Sequence, residues 1–197
     1  DLHSFPTRRS SDLVVVLALS GACAVAAAVN RALSPDADLY SVLEAGLYGA
    51  VEGERLGMEC SRDVAGPRVV SKLELALDIG LSPLSPELKA IEIRDRIGTG
   101  LHIAEAVPAA FGILASRRGD AMETLIDCVN IGYDTDTLAT IAGGIAGALS
   151  GAEAFLGHFL PTLESVNGFE IERLADCIHE LGLRAPSLSA GKGGDSK

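Results

Sequence analysis

Tryptophan is absent from the 197 residues, and aromatic residues of every kind make up only 4% of them. An interior without large rings has to be filled by Ala, Leu, Ile and Val. Small side chains of that kind let helix backbones approach closely, so the composition favours a helical bundle over a β-sandwich. Period-two alternation of apolar and polar residues is also missing over any length that would make a convincing strand. Basic charge is scarce: 16 Lys and Arg stand against 27 Asp and Glu, for a formal net charge of -11. That sign argues against binding of nucleic acid by phosphate neutralisation. It suits an acidic protein or one that gathers divalent cations. Cys23, Cys60, Cys128 and Cys177 lie far apart, without a Cys-x-x-Cys pair, and buried free thiols are the expectation.

What is present is helical periodicity. Residues 14–33 read as an apolar core helix, short for a membrane span at about 15 apolar residues. Leu39 to Val51 carries a second helical face, with Ser34-Pro35-Asp36 as its start signal. Arg55 to Pro67 reads as a loop. Val69 to Leu77 marks a helix stopped near Gly80, and residues 87–96 form a charged helix. Gly98-Thr99-Gly100 breaks the chain before a helix from Ala104 to Ser116. Further helices are expected over Met122–Asn130, Leu138–Leu149 and Glu170–Leu181. The Gly-, Ser- and Lys-rich tail reads as disordered.

One segment departs from this plain pattern: "NIGYDTDTLATIAGGIAGALSG", Asn130 to Gly151. Asp134 and Asp136 sit between two apolar helices, flanked by Thr135 and Thr137. A helix N-terminus wants one capping oxygen. Two carboxylates two positions apart exceed that need and repel each other unless a cation lies between them. Together with the Thr137 hydroxyl they form an oxygen-only set suited to Mg²⁺ or Mn²⁺. Metal turn and decorated cap both remain open on these grounds. An EF-hand beginning at Asp134 fails, because Ala139 and Ile145 occupy the places of its Gly and Glu. A haloacid-dehalogenase motif would need a strand before Asp134 and a Thr or Val at Leu138. Gly143 and Gly147, four apart, read as a face that admits a neighbouring helix backbone. Gly98-Thr99-Gly100 is better placed for an anion, ahead of a helix start. Glu105 reads as a first-turn acid favoured by the helix dipole. His102, His158 and His179 show no ligand spacing. Asn130 either anchors the turn by side-chain hydrogen bonds or caps its helix.

The segment N-x-G-x-DTDT-x-A-x-I-A-G-x-I-A-G-A resembles the C-terminal signature of the ADP-ribosylglycohydrolases, and "GTGLHIAEAVPAAFGILA" (Gly98 to Ala115) is similar to the helix preceding it in bacterial members. The resemblance runs from about Val14 to Leu163. It implies an all-α, multi-helix bundle binding two Mg²⁺ or Mn²⁺ ions. It also implies cleavage of the glycosidic bond that joins ADP-ribose to a protein side chain or a small molecule. By resemblance Asp134, Asp136 and Thr137 match metal ligands, and Gly98, Thr99, Gly100, Asn130 and Gly132 fall to the substrate cleft. Tyr133 stands where many members have a second Gly.

The family's other ligand set, a Thr/Ser-Asp-Asp-Thr type motif, is not found. Asp36 and Asp38 are nearest in type but read as a helix start. The expectation is therefore a fragment, with residues 14–182 as the domain's C-terminal part and the catalytic carboxylate and the N-terminal ligands outside it. His3 to Leu13, "HSFPTRRSSDL", matches one reading frame of a sequencing adapter, so residues 1–13 are expected to be an artefactual leader, although Arg8-Arg9 before an apolar run also has the form of a twin-arginine signal. Residues 183–197 are the expected tail. The chain is then expected to be cytoplasmic, with no membrane or nucleic-acid partner and an ADP-ribosylated protein or small ADP-ribose conjugate as substrate. A non-catalytic relative that keeps the fold for binding or structure is the alternative.

Overall fold

A computed structural model describes residues 15–184. The expected leader (1–13) and all but the first two residues of the expected tail (183–197) lie outside them. The order of elements is α1 (Val16–Ala32), α2 (Leu39–Cys60), α3 (Val69–Leu81), α4 (Pro86–Arg96), α5 (Ile103–Ser116), α6 (Ala121–Asn130), α7 (Thr135–Ser150), a 3₁₀ turn (Ala152–Ala154), α8 (Phe159–Asn167) and α9 (Ile171–Arg184). Among the described residues no strand forms, and one isolated bridge joins Val15 to Arg62. The fold is all-α, as the composition implies. It divides into two compact units, one ending at Phe155 and the other beginning at Leu156.

In the first unit, α5 is the axis. Every residue of this helix except Ile103 and Glu105 is buried, because α1, α3, α4, α6 and α7 all pack against it. A helix apolar on all sides is stable only in such a position. Phe111 and Leu114 join the cluster with Leu17, Val42 and Leu73, while Ala109 and Ile113 face Ile93, Cys128 and Leu138. The site-bearing α7 is thereby anchored through Leu138, which is fully buried. Truncation of such a side chain to Ala typically costs about 2–5 kcal/mol.

The tightest helix pair is α1 against α2, and glycine makes it possible. Gly49, Gly53 and Gly57 fall at every fourth position of α2, facing α1. A Cβ on Gly53 would stand 2.5 Å from the Leu19 carbonyl oxygen, one on Gly57 2.9 Å from the Val16 Cα, and one on Gly49 would collide with the Cys23 carbonyl. Backbone meets backbone, and Ser20 Oγ reaches across to donate to the Ala50 carbonyl at 2.8 Å. The expected loop from Arg55 is accordingly wrong: α2 continues to Cys60. Arg55 supports the added turns by pairing with Glu52 at 3.0 Å and Glu59 at 2.7 Å, one turn away on either side. The reading of Gly143 and Gly147 is also corrected. They receive side chains, Leu125 and Phe155 respectively, and no helix backbone.

The start of α2 lies two residues beyond the expected signal. Asp38 is the N-cap, its Oδ1 accepting from Ser41 N at 2.7 Å while Ser41 Oγ accepts from Asp38 N at 3.1 Å. Asp36 pairs instead with Arg31 at 2.9 Å. The second unit holds α8 and α9. Gly168, at φ 67°, ends α8, and Glu164 Oε1 accepts from Ile171 N at 2.7 Å to begin α9. Sequence periodicity did not reveal α8; Pro161 falls in its first turn, where a missing N–H is harmless. The final helix extends to Arg184, past the expected end at Leu181.

The four cysteines are free, but the expectation that they are buried holds for Cys128 alone; Cys60 and Cys177 are exposed and Cys23 is half-buried. Burial, reinforced by the charge of Asp127, pushes the Cys128 thiol up to about 12. Iodoacetamide at pH 8 should therefore label Cys60 and Cys177 first, Cys23 more slowly and Cys128 only on unfolding. Peptide mass mapping over time checks this; Cys128 labelling at the rate of Cys60 would contradict the packing of α6.

Candidate metal turn and its supporting loop

The end of α6 sets up the turn. Asn130 is the last helical residue and Ile131 takes the C-cap position. Gly132 (φ 96°) and Tyr133 (φ 72°) then occupy left-handed backbone in succession. Glycine adopts that conformation freely; a tyrosine there stores strain of about 1–3 kcal/mol. The double reversal delivers Asp134 to the N-cap position of α7.

Two regions that the sequence presented separately are joined here. Thr99, buried, donates from Oγ1 to the Gly132 carbonyl at 3.0 Å, and its own carbonyl accepts from Asp134 N at 3.0 Å. The Gly98-Thr99-Gly100 loop thus clamps the DTDT turn from outside. The loop is fixed in turn by Glu105, whose Oε2 accepts from Gly100 N at 3.0 Å. A Cβ on Gly98 would stand 2.7 Å from the Glu105 carboxyl carbon, and one on Gly100 2.7 Å from Oε2. Glu105 is therefore a positioning residue, a role its sequence position did not disclose. His102 is the N-cap of α5, with Nδ1 accepting from Ala104 N at 3.2 Å. One amide that a phosphate cradle would use, Gly100 N–H, is already held by a carboxylate.

Asp134 departs from ordinary cap geometry. It occupies the N-cap position, yet its side chain makes no capping hydrogen bond. It is 9% exposed, and Oδ2 is buried without a hydrogen-bond partner. A buried acceptor left so costs about 1–3 kcal/mol. The helix dipole offsets part of that cost. Asp136, exposed, and Thr137, half-buried, follow in the first turn of α7, and Thr140 Oγ1 donates to the Asp136 carbonyl at 2.8 Å. Two carboxylates and a hydroxyl on one turn fit part of the shell of a hard divalent cation. Among the described residues no three His, Cys, Asp or Glu side chains come together in a fuller cluster. Asn130 is exposed and makes no side-chain hydrogen bond to another described residue, so it neither caps α6 nor anchors the turn.

The acids upstream have other work. Hydrogen bonding to Arg31 holds the Asp36 carboxyl below the usual carboxylate range, and the Ser41 amide does the same for Asp38. The haloacid-dehalogenase geometry is ruled out, because helix α6 and a left-handed turn precede Asp134 where that motif requires a strand.

The profile of the ADP-ribosylglycohydrolase family matches residues 16–187. The chain belongs to the ADP-ribosylglycohydrolase family. It is 28% identical over 177 residues to the uncharacterized protein YegU of Escherichia coli (strain K12), covering 90% of this chain and 50% of that protein. It is 27% identical over 179 residues to ADP-ribosylhydrolase ARH3 of Gallus gallus, covering 86% and 45%. A 101-residue stretch is 33% identical to the Mus musculus ADP-ribosylhydrolase ARH3, covering 46% and 26%. The chain thus spans about half the length of the curated relatives it matches most extensively. No solved structure matches. Among the described residues no helix is long and apolar enough to cross a membrane.

Proposed function

We propose that this chain contributes the DTDT half of a Mg²⁺- or Mn²⁺-dependent site that hydrolyses the glycosidic bond of ADP-ribose conjugates. The observation that carries the reading is the buried, unpartnered Oδ2 of Asp134. Asp134, Asp136 and Thr137 would hold the cation. When bound, such an ion supplies positive charge for orienting ribose hydroxyls and acidifying a water. The protein's own contribution is rigidity. Thr99 and Glu105 hold the turn from one side, and buried Leu138 holds it from the other.

Three oxygens on one turn make up only part of a six-oxygen shell. Because no three His, Cys, Asp or Glu side chains come together among the described residues, the chain by itself should hold the ion weakly and turn over no substrate. Release of free ADP-ribose from ADP-ribosyl-arginine and ADP-ribosyl-serine, with excess Mg²⁺ or Mn²⁺, is the assay. No metal-dependent release by the purified chain is expected, together with metal-dependent binding of ADP-ribose that Asp134→Ala removes. Turnover comparable to a complete enzyme would refute the half-site reading. Binding of ADP-ribose that ignores both metal and Asp134 would refute the role of the turn.

A further inference from the structure

The turn carries a residue that metal binding does not explain. Tyr133 is the side chain held at φ 72°, it is 84% exposed, and its ring has a prepared seat. Gly100, on the separate clamp loop, leaves the space: a Cβ there would stand 2.8 Å from Tyr133 Cε1. Leu101, next to Gly100 in the chain, is 81% exposed. Leu101, Tyr133 and Asp134 together line a shallow cavity of about 200 Å³, at whose wall lies the carboxylate with the unpartnered buried oxygen. An aromatic ring and a leucine are thus displayed in water, beside the oxygens that would hold the cation, at the expense of backbone strain.

The geometry points to Tyr133 as a specificity-determining residue that receives a planar, delocalised cation on the leaving-group side of the scissile bond. This inference rests on the glycohydrolase reading above. The cavity is sized for one small group and adjoins Asp134, so what sits on Tyr133 is attached close to the ribose carbon that the metal turn addresses. The adenine of the same substrate lies beyond a second ribose and two phosphates. A flat cation satisfies both walls: its face stacks on the tyrosine ring, and its charge is attracted by the ring quadrupole. A guanidinium and a pyridinium share that chemistry. An alkyl alcohol such as a serine side chain has neither the plane nor the charge.

The test is protein-observed NMR titration of the full chain with Mg²⁺, which reads millimolar affinities without turnover. The probes are ADP-ribosyl-arginine, NAD⁺, ADP-ribosyl-serine and ADP-ribose. The arginine adduct or NAD⁺ should bind about fivefold tighter than the serine adduct, the effect of one cation–π contact at an exposed ring. Whichever of the two binds tighter identifies the guanidinium or the pyridinium as the source. The gap should persist in Tyr133→Phe and close in Tyr133→Gly, a variant that relieves the backbone and so retains its fold. Equal binding of all conjugates, or a gap that survives Tyr133→Gly, would overturn the assignment while leaving the metal turn intact. No Mg²⁺-dependent binding of any probe would overturn the glycohydrolase reading and this inference with it.

Discussion

Gly53→Leu should destabilise the chain by about 3 kcal/mol, a loss of roughly 6–12 °C in melting temperature for a protein of this size. The reason is the identity of the atom in the way. A side chain added at Gly53 meets the Leu19 carbonyl oxygen and the Cys23 Cβ, at 2.5 and 2.8 Å. A carbonyl inside α1 cannot rotate aside as the end of a side chain can, so α1 and α2 would have to separate along the whole stripe from Gly49 to Gly57. The appropriate control is Gly144→Ala in α7, where nothing lies within 4 Å of the new Cβ. There the gain in helix propensity should raise stability by about 1 kcal/mol. Two helical glycines should thus respond with opposite sign. Thermal denaturation followed by circular dichroism reads both, and an unchanged midpoint in Gly53→Leu would mean that α1 and α2 are not packed backbone to backbone.

That stripe also shows where sequence reasoning stopped short. Helix positions with strong apolar periodicity, such as Val69–Leu77 and Ala104–Ser116, could be read directly, because burial of one face is written in the spacing of Leu, Val and Ala. Gly49, Gly53 and Gly57 carry no hydropathy, and polar Arg55 and Glu59 stand among them. The last turns of α2 therefore read as a loop. The glycine pair that did attract notice, Gly143 and Gly147, accepts only side chains. Spacing alone does not tell a backbone contact from a side-chain contact.

The site was legible in its parts and illegible in its assembly. Two carboxylates and a threonine in a short turn single the segment out by composition, as a metal turn or a decorated cap. The link between Thr99 and Gly132 spans more than thirty residues and leaves no local signal. Glu105 looked like an ordinary first-turn acid because its partner, the Gly100 amide, is a backbone group. Only the folded chain shows that the two glycine-containing segments brace each other.

The second large effect concerns Asp134, and it separates cap from metal turn by sign. An N-cap aspartate replaced by alanine loses about 1 kcal/mol of stability. Asp134 makes no capping bond and leaves a buried oxygen without a partner. Asp134→Ala should therefore raise the metal-free midpoint, by about 1 kcal/mol or roughly 2–4 °C, as the unsatisfied acceptor is removed. The same variant should lose the midpoint increase that excess Mn²⁺ gives the unaltered chain, since an ion that binds only the folded state stabilises it by mass action. A drop in the metal-free midpoint would return Asp134 to the role of a cap.

Isothermal titration of the purified chain with Mn²⁺ tests most directly whether the DTDT turn holds a divalent cation. The unaltered chain should bind with weak affinity, in keeping with three protein oxygens and a shell otherwise completed by water. Asp134→Ala and Asp136→Ala should each weaken that binding by tenfold or more, while Asp36→Ala, which touches only an ion pair with Arg31, should leave it unchanged. Equal Mn²⁺ binding in all four proteins, or none in the unaltered chain, would contradict the assignment of this turn as a metal site.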